Sequence, residues 1–283
     1  LKIIVDQLKD VQLWVSGSSS YSLFNELNEP LTGRKWEYEL FPISWEEYES
    51  HIGYLESIQQ LQNRLIFGLY PDVINNPGDE VEILQNLVNS YLYRDILSYA
   101  ELRKPEVLDN LVQTLALQVG SEVNYNELSQ LIGVDRNTIM RYIDVLEKGY
   151  VIFRLRSFSR NVRNEIKKGR KIYFYDNGIR NTIIGQFDDL SIRNDVGALW
   201  ENFLVSERIK QNRYKLNLAK PYFWRTTQQQ EVDYVEVKGD QVAGFEFKWN
   251  PKKGGRISKT FIEKYDASAH LVNRENFRDF VKL

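Results

Sequence analysis

The sequence predicts a multidomain chain that combines α/β and α+β layers. Three observations predict it. The chain has 283 residues, more than one small core usually organises, so two or three domains are expected. Its N-terminal stretch alternates strand, helix and strand with short links, as an α/β layer does. Its later parts change character, first to a pair of short helices followed by two apolar strands, then to a long helix followed by a charged strand hairpin.

Composition narrows the chemistry. Hydrophobic residues make up 42% and charged residues 27%, as in ordinary globular proteins. The chain has no cysteine, which excludes disulfides, thiolate metal sites and cysteine nucleophiles and fits a reducing cytoplasm. With His51 and His270 as its 2 histidines, any metal would be a hard cation held by carboxylates. No apolar run approaches the roughly 20 residues needed to span a bilayer, so no membrane partner is expected. The net charge of −2 hides a polarity. Residues 1–120 hold 8 basic and 18 acidic side chains, residues 121–175 hold 11 and 6, and residues 176–283 hold 18 and 15. A polyanion, if bound, is expected on the middle and end.

The elements follow in order. Lys2 to Lys9 reads as the end of an amphipathic helix. Val11–Ser16 reads as a buried strand, stopped at Gly17, and the serines after it cap a helix over 21–27. Leu31-Thr-Gly-Arg34 ends that helix, and Trp36–Leu40 reads as the next strand. Ser44 and Glu47 have capping-box spacing for another helix. Residues 55–118 read as mostly helical, punctuated by Pro71, Pro77-Gly78 and Pro105. No Gly-x-x-x-x-Gly-Lys-[Ser/Thr] phosphate loop occurs in the chain, and Asp6 lies too close to Gly17 to be an acidic magnesium strand.

Residues 124–147 have a helix-turn-helix pattern. Leu128, Leu131 and Ile132 supply the inner face of the first helix, Gly133 the tight turn, and Asp135 the cap of the second. Ile139, Tyr142, Ile143 and Leu146 supply the second helix's core face. That leaves Arg136, Asn137, Thr138 and Arg141 on the outward N-terminal side, where a recognition helix meets bases and phosphates. Strands Tyr150–Phe158 and Lys171–Tyr175 follow, with a basic turn between them that suits a wing. Its Arg160, Arg163, Lys167, Lys168 and Arg170 are candidate phosphate contacts. Winged helices also serve as protein-interaction modules, so a protein partner stays open beside nucleic acid, with DNA favoured.

Glu231 to Trp249 reads as two strands around Gly239-Asp240. A two-residue turn pairs residue 238 with 241 and sets Asp233 opposite Glu246, whereas a three-residue turn would split the two acids between faces. Glu246 and Lys248 share a face. Close carboxylates repel unless a proton or cation compensates, and Mg2+ or Mn2+ would do so through oxygen ligands. Asp233 and Glu246 are the candidate metal ligands. Asp-x12-Glu-x-Lys matches the spacing of restriction-endonuclease-like nucleases, written PD-(D/E)xK; a solvated sheet face is the alternative. Upstream, residues 196–209 read as an amphipathic helix with Leu199, Phe203, Val205 and Ile209 toward a sheet. Glu201 at its edge is a candidate third acid. The candidate catalytic set is therefore Glu201, Asp233, Glu246 and Lys248. Gln230 and Glu231 lie beside it, and Arg225 is a candidate phosphate contact or a structural ion-pair partner.

Several of these stretches together resemble a family, the prokaryotic AAA-type ATPases that carry the C-terminal domain of unknown function 4143. The resemblance covers nearly the whole chain. It rests on Ser16-Gly-Ser-Ser, Leu31-Thr-Gly-Arg, Leu40-Phe-Pro-Ile-Ser-Trp-Glu-Glu, Gly68-Leu-Tyr-Pro-Asp and Tyr91-Leu-Tyr-Arg-Asp-Ile. Lys171-Ile-Tyr-Phe-Tyr-Asp-Asn-Gly, Gly197-Ala-Leu-Trp-Glu-Asn-Phe, Phe223-Trp-Arg-Thr and Glu231-Val-Asp-Tyr continue it in order. It implies the end of an AAA-type α/β ATPase domain over 1–55, a helical lid or linker over 56–118, a winged helix-turn-helix over 119–176 and a restriction-endonuclease-like α/β domain over 177–283. It also implies that Ser18 or Ser19 senses the γ-phosphate of ATP and that Arg34 is an arginine finger. The family's phosphate loop would precede residue 1, so the chain is expected to be the C-terminal part of such a protein, binding ATP only with the preceding part. Rings or dimers are common in that class.

Overall fold

The computed structural model describes residues 10–17, 36–90, 104–160 and 169–282, and among them Ser44 caps the first helix. Its hydroxyl accepts from the Glu47 amide at 3.3 Å while the Glu47 carboxylate accepts from the Ser44 amide at 2.8 Å, closing the expected capping box. Helix α1, Trp45–Ile52, ends at Gly53, and α2, Tyr54–Phe67, ends at Gly68. Both glycines have positive φ, 91° and 74°. Gly68 also has no room for a side chain, since a Cβ there would lie 1.9 Å from the Asp176 carboxylate. Helix α3, Pro71–Asn75, and α5, Pro105–Leu117, begin at prolines, with α4, Glu80–Leu87, between them.

The two expected N-terminal strands are not strands. Val11–Ser16 and Trp36–Leu40 join no β-ladder, and Trp14, Trp36, Tyr38 and Leu40 are exposed. Alternating apolar residues make a strand only where a neighbouring backbone pairs with them, and no described segment pairs with these. The expectations for 2–9, for the helix over 21–27 and for Ser18, Ser19 and Arg34 lie outside the described residues.

After β1, Glu122–Val123, come α6, Tyr125–Ile132, and α7, Arg136–Lys148. Asn124 caps α6, Gly133 turns the chain at φ 76°, and Asp135 Oδ1 accepts from the Asn137 and Thr138 amides at 2.9 and 3.0 Å. Leu128, Ile139, Tyr142, Ile143 and Leu146 are buried as expected. Leu131 is not: Ile132 packs one turn beyond Leu128, which leaves Leu131 on the solvent edge, 66% exposed.

The remaining elements are β2, Ile152–Ser157; β3, Arg170–Phe174; α8, Asn177–Ile183; α9, Val196–Tyr214; β4, Lys220–Arg225; β5, Glu231–Lys238; β6, Gln241–Lys248; α10, Lys259–Tyr265; β7, Ser268–Asn273; and α11, Phe277–Val281. The described strands form one mixed sheet in the order β1-β3-β2-β4-β5-β6-β7. The hairpin β2–β3 is antiparallel. Strand β2 then lies parallel to β4 through Arg156↔Tyr222 and Ser157↔Phe223. The sheet therefore runs on through the boundary expected near residue 176.

Helix α9 departs from the amphipathic helix expected. Leu199, Phe203 and Val205 are buried toward the sheet and Ile209 partly so, but its polar side is buried as well. That side is tolerated because its groups are partnered. Asn202 accepts from the Phe174 amide at 2.8 Å and donates to its carbonyl at 3.0 Å. Ser206 donates to the Tyr175 carbonyl at 2.7 Å, and Arg208 grips Glu236 with two bonds of 2.8 and 2.7 Å. Helix α9 is thus the central rod of one large core, with α1, α2 and α11 around it, while a second core of equal size gathers α4 to α7 with Ile152, Ile172 and Phe174. A smaller core of Trp224, Val232, Val235 and Phe261 lies under α10.

Candidate acidic site and helix-pair surface

The hairpin β5–β6 turns at Gly239-Asp240, with Lys238 opposite Gln241, and the pairing continues to Tyr234↔Phe245. The pairing ends there, one step short of Asp233 and Glu246, which a two-residue turn would set opposite each other. An irregularity then re-aims the acid. Tyr222 faces Val235 and Trp224 faces Val232, so two steps along β4 match three along β5. The extra residue falls in the stretch that carries Asp233. It explains why Val232 and Val235 both enter the small core while Tyr234 enters the large one around α9. The Asp233 carboxylate turns along the strand and accepts from the Phe247 amide at 2.8 Å.

The neighbours arrive from three directions. Lys248 Nζ lies 2.7 Å from Glu246 Oε1 on the same strand. Glu201 comes from α9, close to Gly120, where a Cβ would stand 3.3 Å from its Oε1. Tyr173 Oη donates to that oxygen at 2.7 Å. Lys171, on β3, reaches Glu201 Oε1 at 3.0 Å and Glu231 Oε1 at 2.6 Å with a side chain only 3% exposed. The four predicted residues Glu201, Asp233, Glu246 and Lys248 thus share one electrostatic neighbourhood, and Lys171 and Glu231 belong to it too.

Protonation follows from that crowding. Burial, and then Glu201 and Glu246, push the Asp233 carboxyl well above the usual carboxylate range; Lys171 and the Phe247 amide oppose this and lose. Burial disfavours the Lys171 ammonium, but Glu201, Asp233 and Glu231 outweigh it and raise its pKa. Burial likewise disfavours the Lys248 ammonium, but Glu246, then Asp233 and Glu201, raise its pKa. Burial and Glu201 raise the Tyr173 hydroxyl. Both lysines are therefore cations at neutral pH and Asp233 is biased toward the neutral acid.

This arrangement does not fit a divalent metal as it stands. Asp233 carries a proton that offsets the neighbouring acids, and a metal would have to displace it. The other three carboxylates are each tied to a lysine: Glu246 to Lys248, Glu201 and Glu231 to Lys171. Among the described residues no group of three or more His, Asp or Glu side chains is placed to hold a metal ion.

Arg225 lies 3.8 Å from both Glu231 and Glu122 and also bonds Gln229. Gln230 accepts from the Ser258 hydroxyl ahead of α10 at 3.3 Å. Both therefore have structural partners. On α7, Arg136, Asn137 and Arg141 are exposed, while the Thr138 hydroxyl donates to Asp135 at 2.6 Å. Arg160 leans on α10, 3.4 Å from the Tyr265 carbonyl and 5.7 Å above its ring. Arg170 stacks over Tyr125 at 5.8 Å. Arg163, Lys167 and Lys168 lie outside the described residues.

Sequence reasoning missed Lys171. The signal was a lysine on the face of β3 shared with Tyr173, inside an otherwise apolar strand. Other quoted motifs prove to be internal joints. Asp176 accepts from the Leu69, Gly178 and Ile179 amides at 2.7, 2.8 and 3.2 Å, and Asn177 donates to the Leu65 and Leu199 carbonyls at 3.1 Å each.

Comparisons with known proteins agree with parts of this picture. An AAA domain model matches residues 1–49, Domain of unknown function (DUF8612) matches residues 58–190 and Domain of unknown function (DUF4143) matches residues 196–280. Residues 1–49 are thus similar to an AAA domain and residues 196–280 to DUF4143. An uncharacterized protein of Haemophilus influenzae is 25% identical over 81% of this chain and 56% of its own length. One of Mycobacterium tuberculosis is 26% identical over 88% of this chain and 55% of its own. One of Methanocaldococcus jannaschii is 24% identical over 69% and 46%. The chain thus spans about half the length of the curated relatives it matches. No solved structure matches. Among the described residues no helix is long and apolar enough to cross a membrane.

Proposed function

We propose that this chain is the nucleic-acid-binding part of an AAA-like ATPase, with duplex DNA as the favoured ligand. The observation that carries the reading is the first turn of α7, where Arg136 and Asn137 stand exposed beside the capped N-terminus and Arg141 lies just beyond. In this reading α6, α7 and the β2–β3 hairpin are a winged helix-turn-helix, and α7 is the recognition helix. In this reading ATP chemistry would need a phosphate loop, which no stretch of this sequence supplies, and Ser18, Ser19 and Arg34 would serve beside it. The test is fluorescence anisotropy of the whole chain on duplex DNA and on RNA across a salt series. Arg136→Ala with Arg141→Ala is expected to weaken DNA binding and to lower the salt slope by up to about 2, near 0.9 for each phosphate no longer neutralised. Binding unchanged by the substitutions sinks this placement.

A second reading is metal-dependent phosphodiester cleavage on a restriction-endonuclease-like sheet. The convergence of Glu201, Asp233, Glu246 and Lys248 favours it. Asp233 and Glu246 would be the Mg2+ or Mn2+ ligands, Glu201 a supporting acid and Lys248 the group facing the phosphate. Incubation with single- and double-stranded DNA and either metal tests it. Cleavage lost in Asp233→Ala and Lys248→Ala supports this reading; no cleavage leaves a non-catalytic binding module with a degenerate nuclease fold.

A further inference from the structure

We propose that the Lys171 ammonium is the resident cation between Glu201 and Glu231 in the acidic cluster, doing there what a divalent ion would otherwise do. The inference goes beyond the nucleic-acid reading and does not depend on it.

Lys171 reaches the cluster from an element of its own. Glu201 lies on α9 and Glu231 on β5, and neither element can cancel the other's charge. Lys171 comes from a third element, β3, and binds one oxygen of each at 3.0 and 2.6 Å. Joining oxygens from separate elements through one positive centre is what a bound cation does in carboxylate sites. Solvent does not share the task, since the Lys171 side chain is 3% exposed and the Phe223 ring lies 5.6 Å from its Nζ. The approach is held open: Gly120 is the residue against Glu201, and a Cβ there would lie 3.3 Å from its Oε1. Strand β3 itself is locked between β1 and β2, so the ammonium is delivered by rigid backbone and not by a loop.

The rest of the cluster is balanced in the same way. Lys248 meets Glu246 at 2.7 Å, and Arg225 stands 3.8 Å from Glu231. Two lysines and an arginine thus face Glu201, Glu231 and Glu246, so a divalent ion entering here would meet positive charge already in place. An apolar side chain of similar length at 171 reverses this. It leaves Glu201 and Glu231, with Asp233 nearby, without the ammonium that joins them, a set of hard oxygens suited to Mn2+ or Mg2+.

The test uses the whole chain and Mn2+ alone, with binding read by isothermal titration calorimetry and by the shift of the thermal midpoint. Lys171→Met is expected to bind Mn2+ at least tenfold more tightly than the parent and to gain thermal midpoint as Mn2+ is added. Lys171→Arg, which keeps the cation, is expected to behave as the parent does. Glu201→Gln added to Lys171→Met is expected to abolish the gain. Parent and Lys171→Met binding Mn2+ equally well, or neither responding to it, overturns the proposal. If Lys171→Met does not fold alone, refolding it with Mn2+ decides: native circular dichroism restored by Mn2+ supports the proposal, and none restored overturns it. Because cleavage is not the readout, the outcomes separate from those above. A parent that binds Mn2+ tightly and cuts DNA overturns this inference and sustains the cleavage reading, while loss of DNA binding in the α7 variant bears only on the nucleic-acid reading.

Discussion

A double-substitution cycle on Lys171 and Glu201 measures how far the acidic cluster holds the sheet to α9. Lys171→Met removes one buried ammonium from two carboxylates, 3.0 and 2.6 Å away. Breaking a buried ion pair by deleting one partner costs about 3–5 kcal/mol, chiefly through the charge left behind. Here the stranded groups are 17% exposed for Glu201 and 30% for Glu231, so water relieves part of the loss and the lower end, about 3 kcal/mol, is expected. Glu201→Gln keeps an acceptor for the Tyr173 hydroxyl and leaves Lys171 its bond to Glu231, so about 1–2 kcal/mol is expected. In the double variant the glutamine is no longer a stranded charge, and the total should fall short of the sum by about 1–2 kcal/mol. Urea unfolding at neutral pH without added metal measures all four corners, using one transition with a common m-value. Costs that add within about 0.5 kcal/mol would refute the reasoning, because the two groups would then be acting independently.

Three further outcomes follow from other parts of the molecule. Glu49 on α1 is held by Arg278 at 2.6 Å and Lys282 at 2.5 Å, and its pKa falls from 4.5 to about 2, first through the bond to Arg278. That stabilisation is complete above pH 4.5 and is lost as pH falls toward 2. The partners are about a third exposed, so screening leaves about 1–2 kcal/mol for Glu49→Gln to remove at pH 7, and only a small remainder as pH approaches 2, by thermal unfolding. Asp233 has the opposite sign: its folded pKa is raised, so the protein loses stability as pH climbs above the unfolded value near 4. Asp233→Asn should therefore raise the thermal midpoint at neutral pH and not below pH ~4. Gly68→Ala should cost more than about 2 kcal/mol, since its Cβ would lie 1.9 Å from the Asp176 carboxylate at φ 74°.

What the sequence shows of this molecule depends on how local each cause is. The caps at Ser44 and Asp135 act within three residues, and both form as read; Asn124 caps α6 in the same local way. The two-residue turn at Gly239-Asp240 needs only local parity, and the register follows it from Lys238↔Gln241 to Tyr234↔Phe245. The extra residue near Asp233 is set by β4, which no pattern within β5 reveals. Lys171 was overlooked because its partners lie 30 and 60 positions along the chain, on α9 and β5. The polar side of α9 was read as solvated because Glu236 and the Phe174 backbone, which bury it, are equally remote. The alternation in Trp36–Leu40 signals an ability to pair, and pairing needs a partner.

The parallel contact between β2 and β4 makes a strong claim about what can fold alone. Residues 177–283 contain α9 and four strands, and on that content they look self-sufficient. Within the sheet, however, β4 has β2 on one side and β5 on the other. Cutting before residue 177 removes the first of these and uncovers one edge of β4, including the fully buried Phe223. It also strips Asn202 of its Phe174 backbone partners and Glu201 of Lys171 and Tyr173. Buried polar groups left without partners cost about 1–3 kcal/mol each, enough together to exhaust a margin of 5–15 kcal/mol once the apolar edge is counted. The fragment 177–283 is therefore expected to lack a cooperative thermal transition and a structured near-ultraviolet dichroism spectrum. A fragment that melted cooperatively with the parent's near-ultraviolet signature would show that the sheet is two independent halves that merely touch at β2 and β4.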